Sequence, residues 1–187
     1  MKKMFILIVV IFFALFFIYC RRINDDSMFP ILKTGDWIVF SPLVEDIQPG
    51  DMILLHDPLD TNTLVIRRVI GVDFDQILID FNHTTRVNGV SMEQKELDHN
   101  ETYRFIEEIQ YQGNIDRHWR ITRRHDVIPK REFVSKIPEN HCFVLSDNRD
   151  EYLDSRIWGS IPKNIITGKI WFRIGNKDLW QNYIVFF

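Results

Sequence analysis

The sequence predicts a mostly β domain tethered to a membrane by one N-terminal helix. Three observations predict it. Residues 4–20 form an apolar block uninterrupted by charge and flanked by basic residues. The rest of the chain is a series of short segments rich in β-branched and aromatic residues. Turn signals separate those segments. At 187 residues the chain has room for one domain and an appendage. The expected division is a membrane anchor at 1–22 and a β-rich domain at 23–187.

The apolar block reads MFILIVVIFFALFFIYC, with Lys2 and Lys3 before it and Arg21 and Arg22 after it. As a helix it would span roughly 26 Å, near the lower limit for crossing a bilayer. The flanking Lys and Arg side chains can snorkel to make up the deficit. The block ends in Ile18, Tyr19, Cys20 and Arg21. That ending lacks the small residues of a signal-peptide cleavage site, so an uncleaved anchor is expected. Two Lys face two Arg across it, so basic charge alone does not set the orientation.

Strands are expected at DWIVF (36–40), DMILLH (51–56), TLVIRRVIGV (63–72), QILIDF (76–81), HCFVLSD (141–147) and GKIWFRIG (168–175). TGD at 34–36 and QPGD at 48–51 mark turns. VNGV at 87–90 carries the Asn-Gly pair that suits a type I′ hairpin. One short helical stretch is expected near 93–109. No repeat or low-complexity linker interrupts the chain.

A net charge of −3 and a pI near 6.1 give no basic excess, so nucleic acid is not an expected partner. The basic cluster RITRRH at 120–125 reads as a solvated face. Cys20 and Cys142 are too far apart in context for a disulfide to be expected. The six His lack metal-ligand spacing, and neither a metal nor another cofactor is expected.

Chemistry concentrates in three places. Ser27-Met28-x-Pro30 follows directly after the anchor; alone, a Ser before a Pro-containing turn is an ordinary turn residue. Arg67 and Arg68 sit inside an apolar strand. Ser146-Asp147-Asn148-Arg149-Asp150 is followed closely by Asp154-Ser155-Arg156-x-Trp158-Gly159. Charges this dense between apolar strands form either a solvated loop or a buried polar network, in which the acids can pair with Arg68.

These segments, in this order, resemble the type I signal peptidases. The resemblance covers about residues 5–175 and is carried by SMFPIL, TGDWIVF, QPGDMILLH, IRRVIGV, RVNG and SDNRD…DSRIWG…GKIWFRI. It implies a β-rich catalytic domain on the outer face of the cytoplasmic membrane, with an apolar surface resting on the bilayer. The implied reaction is removal of signal peptides from secreted pre-proteins, with contact to the secretion machinery as a further expectation. Ser27 falls at the nucleophile position, and Arg67 at the position of a lysine general base. Met28 and Pro30 complete the nucleophile motif. Arg68, Asp154, Ser155 and Arg156 match positions that shape the site, and Asp147, Asn148 and Arg149 begin its last motif. In that family a neutral amine takes the serine proton, and no His-Asp pair is needed.

Three residues depart from the family pattern. Arg67 replaces the lysine, and neutralising a guanidinium at pH 7 would cost at least about 7.5 kcal/mol. Tyr152 stands where a Ser commonly orients the lysine amine. Asp25 stands where a Ser or Gly is common, and a carboxylate there would repel an oxyanion or pair with Arg67. Three readings stay open: a signal peptidase with an altered base (water, Asp25 or a rearranged Lys such as Lys33), a non-cutting relative that binds exported peptides or a membrane partner, and a peptidase dedicated to one secreted substrate.

Overall fold

The computed structural model describes residue 5 and residues 19–98, 103–111, 115–123, 132–151, 153–175 and 184–186, with the backbone alone for 93–117 and 184–186. The expected anchor at 1–22, with its apolar block at 4–20, lies outside the described residues, apart from residues 5 and 19–22. Among the described residues no helix is long and apolar enough to cross a membrane.

The strands are β1 (Cys20–Arg22), β2 (Trp37–Ser41), β3 (Met52–His56), β4 (Leu64–Val72), β5 (Gln76–Ile79), β6 (Thr85–Val87) and β7 (Val90–Ser91). They continue with β8 (Glu93–Asp98), β9 (Tyr103–Tyr111), β10 (Ile115–Arg123), β11 (Phe133–Lys136) and β12 (His141–Leu145). A one-turn helix, α1 (Ser155–Trp158), precedes β13 (Ile161–Pro162), β14 (Ile166–Ile174) and β15 (Ile184–Phe186). The main sheet runs β1-β2-β14-β3-β4-β12-β13, with β15 also on β14. Two smaller sheets run β10-β9-β8 and β11-β5-β6-β7.

All six strands expected from composition are present. The Val87–Val90 hairpin has Asn88 at φ 53° and Gly89 at φ 81°, the positive angles that a type I′ turn requires. Gly35 and Gly50 likewise take φ of 94° and 95° in the two expected turns, a region costly for residues with a Cβ.

The helix expected near 93–109 is not there. Glu93–Asp98 and Tyr103–Tyr111 are strands, and β9 pairs on both sides, with β8 and with β10. The apolar spacing in this segment fits either period, and backbone pairing on both edges of β9 decides for the sheet. Cys20, at the expected end of the anchor, and Arg21 and Arg22 after it form β1, pairing antiparallel with β2.

Strand β4 organises the core. It is buried along both faces, because β3 and β12 flank it and side chains pack above and below. Successive side chains of a strand point to opposite faces. Val65 and Val69 therefore join Ile53, Val144 and Ile161 in one apolar cluster. Ile70 joins Ile77, Trp119, Ile121 and Phe143 in another. A third cluster packs Met28 and Leu32 against Ile38, Leu54 and Ile66, which fixes the segment after β1 onto the sheet. Cys142 and Cys20 are both buried free thiols, and burial pushes Cys142 up to about 12. A thiol in that state is a small apolar core residue rather than a nucleophile.

Strand β14 crosses β2 and β3 at Gly168, where no side chain fits. A Cβ there would lie 2.4 Å from Phe40 Cδ2 and 2.8 Å from the Ser41 carbonyl oxygen. Gly168→Ala is expected to lower stability by about 1–3 kcal/mol through overpacking, seen as a lower urea midpoint at unchanged m-value. An unshifted midpoint would show that β2 and β14 separate freely at this crossing.

Candidate active site

The segment between β1 and β2 is pinned at both ends. Ile23 N donates to Asp36 O at 2.8 Å, and Gly35 N donates to Ile23 O at 2.9 Å. Thr34 N donates to Asp26 Oδ1 at 2.8 Å, closing the loop over its middle. Within it, Leu32 N bonds back to Met28 O at 2.9 Å, and the Phe29–Pro30 peptide is cis. Met28 is 2 % exposed and serves as the loop's apolar foot. Ser27 is thereby held in place, with its carbonyl accepting from Asn148 N at 2.9 Å.

Two side chains meet at Ser27. Its Oγ donates to Asp25 Oδ1 at 2.6 Å, and its backbone N donates to the same oxygen at 2.9 Å. Arg67 Nη1 donates to Ser27 Oγ at 2.9 Å. A guanidinium has no acceptor, so the direction of that bond is fixed and the hydroxyl proton points to Asp25. Asp25 and Arg67 are thus joined through the serine, not by a direct ion pair. Ser27 is 6 % and Arg67 3 % exposed, while Asp25 is exposed to solvent.

Arg67 is fixed from several directions. Nη1 also donates to Ile66 O at 2.6 Å, and Nε donates to Leu153 O at 2.8 Å. The Trp158 ring lies 5.5 Å from the guanidinium carbon, within cation–π range. Burial pulls the guanidinium below its ordinary value, while Asp154, Asp25, Asp57 and Glu151 push it back up. The starting value is high enough that the side chain keeps its charge at neutral pH.

Arg68 points to the opposite face of β4. Its Nε and Nη2 reach Asp147 Oδ1 and Oδ2 at 2.7 and 2.6 Å, a bidentate pair with the carboxylate fully buried. Nη1 donates to Gly50 O at 2.7 Å, and Trp119 lies 5.2 Å below the guanidinium. Asp147 O accepts from Thr122 N, and Arg149 N donates to Thr122 O. The segment 147–149 therefore bridges β10 and the Ser27 loop.

The second acidic motif forms a separate unit beside it. Asp154 caps α1 by accepting from Arg156 N at 3.0 Å, and it also accepts from Ser146 N at 3.0 Å. Arg156 pairs with Asp154 through Nε and Nη2, at 2.9 and 2.7 Å. It donates as well to the Arg149 and Glu151 carbonyls. Ser155 Oγ accepts from Val144 N at 2.9 Å, tying α1 to β12.

Of the residues singled out in the sequence, Ser27, Asp25 and Arg67 come together. Arg68, Asp147, Asn148, Arg149, Asp154, Ser155 and Arg156 form the frame around them, with Met28 and Pro30 shaping the Ser27 loop. Tyr152 lies outside the described residues. Lys33 places its amine 5.3 Å from the centre of the Phe29 ring. The sequence reasoning missed the carbonyls of Leu153 and Ile66, which no side-chain pattern signals, and Trp119 and Asp57. Trp158 was in view in DSRIWG, but its place under Arg67 was not.

A cavity of about 280 Å³ opens beside Asp25 and Met28. Ile23, Leu32, Ile38, Leu54 and Ile66 give it an apolar lining, and Arg21 and Arg22 stand among its polar residues.

The family described as signal peptidase, peptidase S26, matches residues 1–175. The chain is 27 % identical over 181 residues to signal peptidase I of Pseudomonas fluorescens, covering 86 % of this chain and 63 % of that protein. It is 27 % identical over 164 residues to the probable signal peptidase I-1 of Synechocystis sp., covering 86 % and 72 %. The chain thus spans less than two thirds of the length of the Pseudomonas relative. A crystal structure of a signal peptidase I from Enterococcus faecalis aligns with a TM-score of 0.44 at 21 % identity, over 67 % of this chain and 97 % of that one.

The Arg68–Asp147 pair gives a direct test of the frame. Asp147→Ala leaves a buried guanidinium without its partner and is expected to cost about 3–5 kcal/mol in urea unfolding. Replacing both residues by apolar ones of similar volume should recover most of that loss. Equal destabilisation by the single and double variants would refute the pairing as the source.

Proposed function

The chain belongs to the signal peptidase family, peptidase S26, and on that premise we propose that it is a membrane-bound serine endopeptidase that removes signal peptides from exported pre-proteins, with Ser27 as nucleophile. The observation that carries this reading is the setting of Ser27: a buried hydroxyl, held between one donor and one acceptor, close to a cavity of mixed polar and apolar lining. A nucleophilic hydroxyl needs its proton directed to an acceptor and its position fixed relative to the acyl group it attacks. The cavity borders Asp25 and Met28, on either side of Ser27 in sequence, and offers a place for the peptide beside the hydroxyl; the preference for small residues just before the cut is what the family implies.

In this proposal the anchor expected at 1–22, whose last three residues pair into the main sheet as β1, holds the β-rich domain of 23–187 on the outer face of the cytoplasmic membrane. The bilayer keeps enzyme and signal-peptide end at one depth, which raises their effective concentration. The substrates are signal peptides of secreted pre-proteins, with contact to the secretion machinery part of the same reading.

A second reading is favoured by one bond. Arg67 donates to Ser27 Oγ where a general base would have to accept. In that reading the chain is a non-cutting relative whose groove holds exported peptides or a membrane partner.

Cleavage of a pre-protein by the full chain in detergent decides between them. The expected outcome is cleavage that falls to background in Ser27→Ala and is blocked when the residue before the cut is changed to Trp. Arg67→Lys with Tyr152→Ser and Asp25→Ser, which puts the family's residues at all three positions, should support cleavage through an amine base. Binding of the pre-protein without cleavage, in wild type and both variants, would establish the second reading.

A further inference from the structure

Building on Ser27 as nucleophile, we infer that Asp25 is the proton acceptor of this site and that Arg67 is the donor that stabilises the developing Ser27 alkoxide. The two charged groups exchange the tasks that a lysine and a neutral residue would have at the same positions.

The geometry carries this assignment. Oγ has one hydrogen, and Asp25 Oδ1 at 2.6 Å receives it. Arg67 Nη1 has two hydrogens, and their acceptors are Ile66 O and Ser27 Oγ. A charged donor at 2.9 Å from Oγ favours the negative oxygen over the neutral one. Asp25 also lines the cavity, so the side of the site where substrate would lie is open to it.

The steps balance. Ser27 Oγ bonds to the scissile carbonyl carbon as its proton passes to Asp25 Oδ1, and the carbonyl π pair moves onto oxygen. Asp25 returns that proton to the departing amine nitrogen as the C–N bond breaks, leaving an acyl ester on Ser27. Water then attacks the ester carbon and passes a proton to Asp25. The second tetrahedral intermediate collapses to the free peptide acid, and Ser27 Oγ takes the proton back. The repulsion expected between a carboxylate and an oxyanion is absent here, because Asp25 is neutral whenever the oxyanion exists.

A plain turn contact explains less. An Asx turn needs only the bond from Ser27 N to Asp25 Oδ1. Asp25→Asn keeps an oxygen in that place and preserves the turn, so it separates the two roles. The charged groups facing Asp25 are Arg67 from β4 and Arg21 and Arg22 from β1 across the cavity. Asp57, Glu151 and Asp154 are the further acids that act on Arg67.

The test uses the full chain in detergent and two readouts. One is pre-protein cleavage, and the other is acylation of Ser27 by an activated p-nitrophenyl ester, followed by intact mass. Asp25→Asn is expected to slow both by about 10²–10⁴-fold with little change in KM, and to remove the acidic limb of the pH–rate profile. Arg67→Lys introduced into Asp25→Asn should restore acylation, since an amine then replaces the lost acceptor. Acylation of Asp25→Asn at the wild-type rate overturns the assignment while leaving Ser27 as nucleophile. Asp25-dependent acylation without pre-protein cleavage overturns the signal-peptide reading and supports the assignment. A wild-type chain that is neither acylated nor active overturns both.

Discussion

Two consecutive guanidiniums on one buried strand set the architecture of this site. Strand β4 is covered on both faces, so neither Arg67 nor Arg68 can reach bulk water without leaving the core. Each must be satisfied where the strand puts it. The alternation of side chains sends Arg68 to the face of Ile70 and Trp119, and Arg67 to the face of Val65, Val69 and Trp158. On one face the solution is a bidentate carboxylate. On the other it is two carbonyls, one hydroxyl and an aromatic ring. The difference decides which arginine is structural and which borders chemistry. Arg68 is neutralised at contact distance, whereas Arg67 keeps its field for Ser27.

That asymmetry also explains why loops, and not the sheet, complete the site. Asp147 is drawn in by Arg68, and its neighbour Asn148 then presents the N–H that holds the Ser27 carbonyl. Asp154 is drawn in by Arg156 and caps α1, which brings the Leu153 carbonyl to Arg67 Nε. Asp147 and Asp154, seven residues apart, thus serve two different arginines, and the chain between them closes over the guanidinium of Arg67. Loss of either pair would displace a loop before it touched the serine itself.

Much of this was legible in the chain. Alternating apolar segments and the Asn88-Gly89 turn gave the strands and one hairpin, because period and turn chemistry are local properties. The expected pairing of the late acids with Arg68 was also readable, since a buried Arg needs hydrogen-bonding partners and a nearby carboxylate supplies two at once. The helix expected at 93–109 failed because that choice rests on non-local pairing: β9 has partners on both edges, and no residue of its own encodes them. The same limit hid the Leu153 and Ile66 carbonyls from sequence reasoning. Backbone acceptors have no residue type. The direct Arg67–Asp25 pairing considered from the sequence is replaced by a bond through Ser27, a result of side-chain geometry that spacing does not fix.

Asp25 and Arg67 each break the family pattern, and each alone would impair the site. An arginine at the base position offers only donors, and a carboxylate two residues before the nucleophile offers only acceptors. Taken together they still surround Oγ with one of each. A neutral amine on the strand and a hydroxyl on the loop do the same with the direction of proton flow reversed. What a serine nucleophile needs is an acceptor for its proton and a donor for its charge, not a particular residue in either place. The local charge is also unchanged through the first step, because the negative charge leaves Asp25 as it appears on the oxyanion, while Arg67 stays positive throughout. In that respect the pair of departures is one change, and the carboxylate that seems misplaced beside an oxyanion is the group whose protonation creates it.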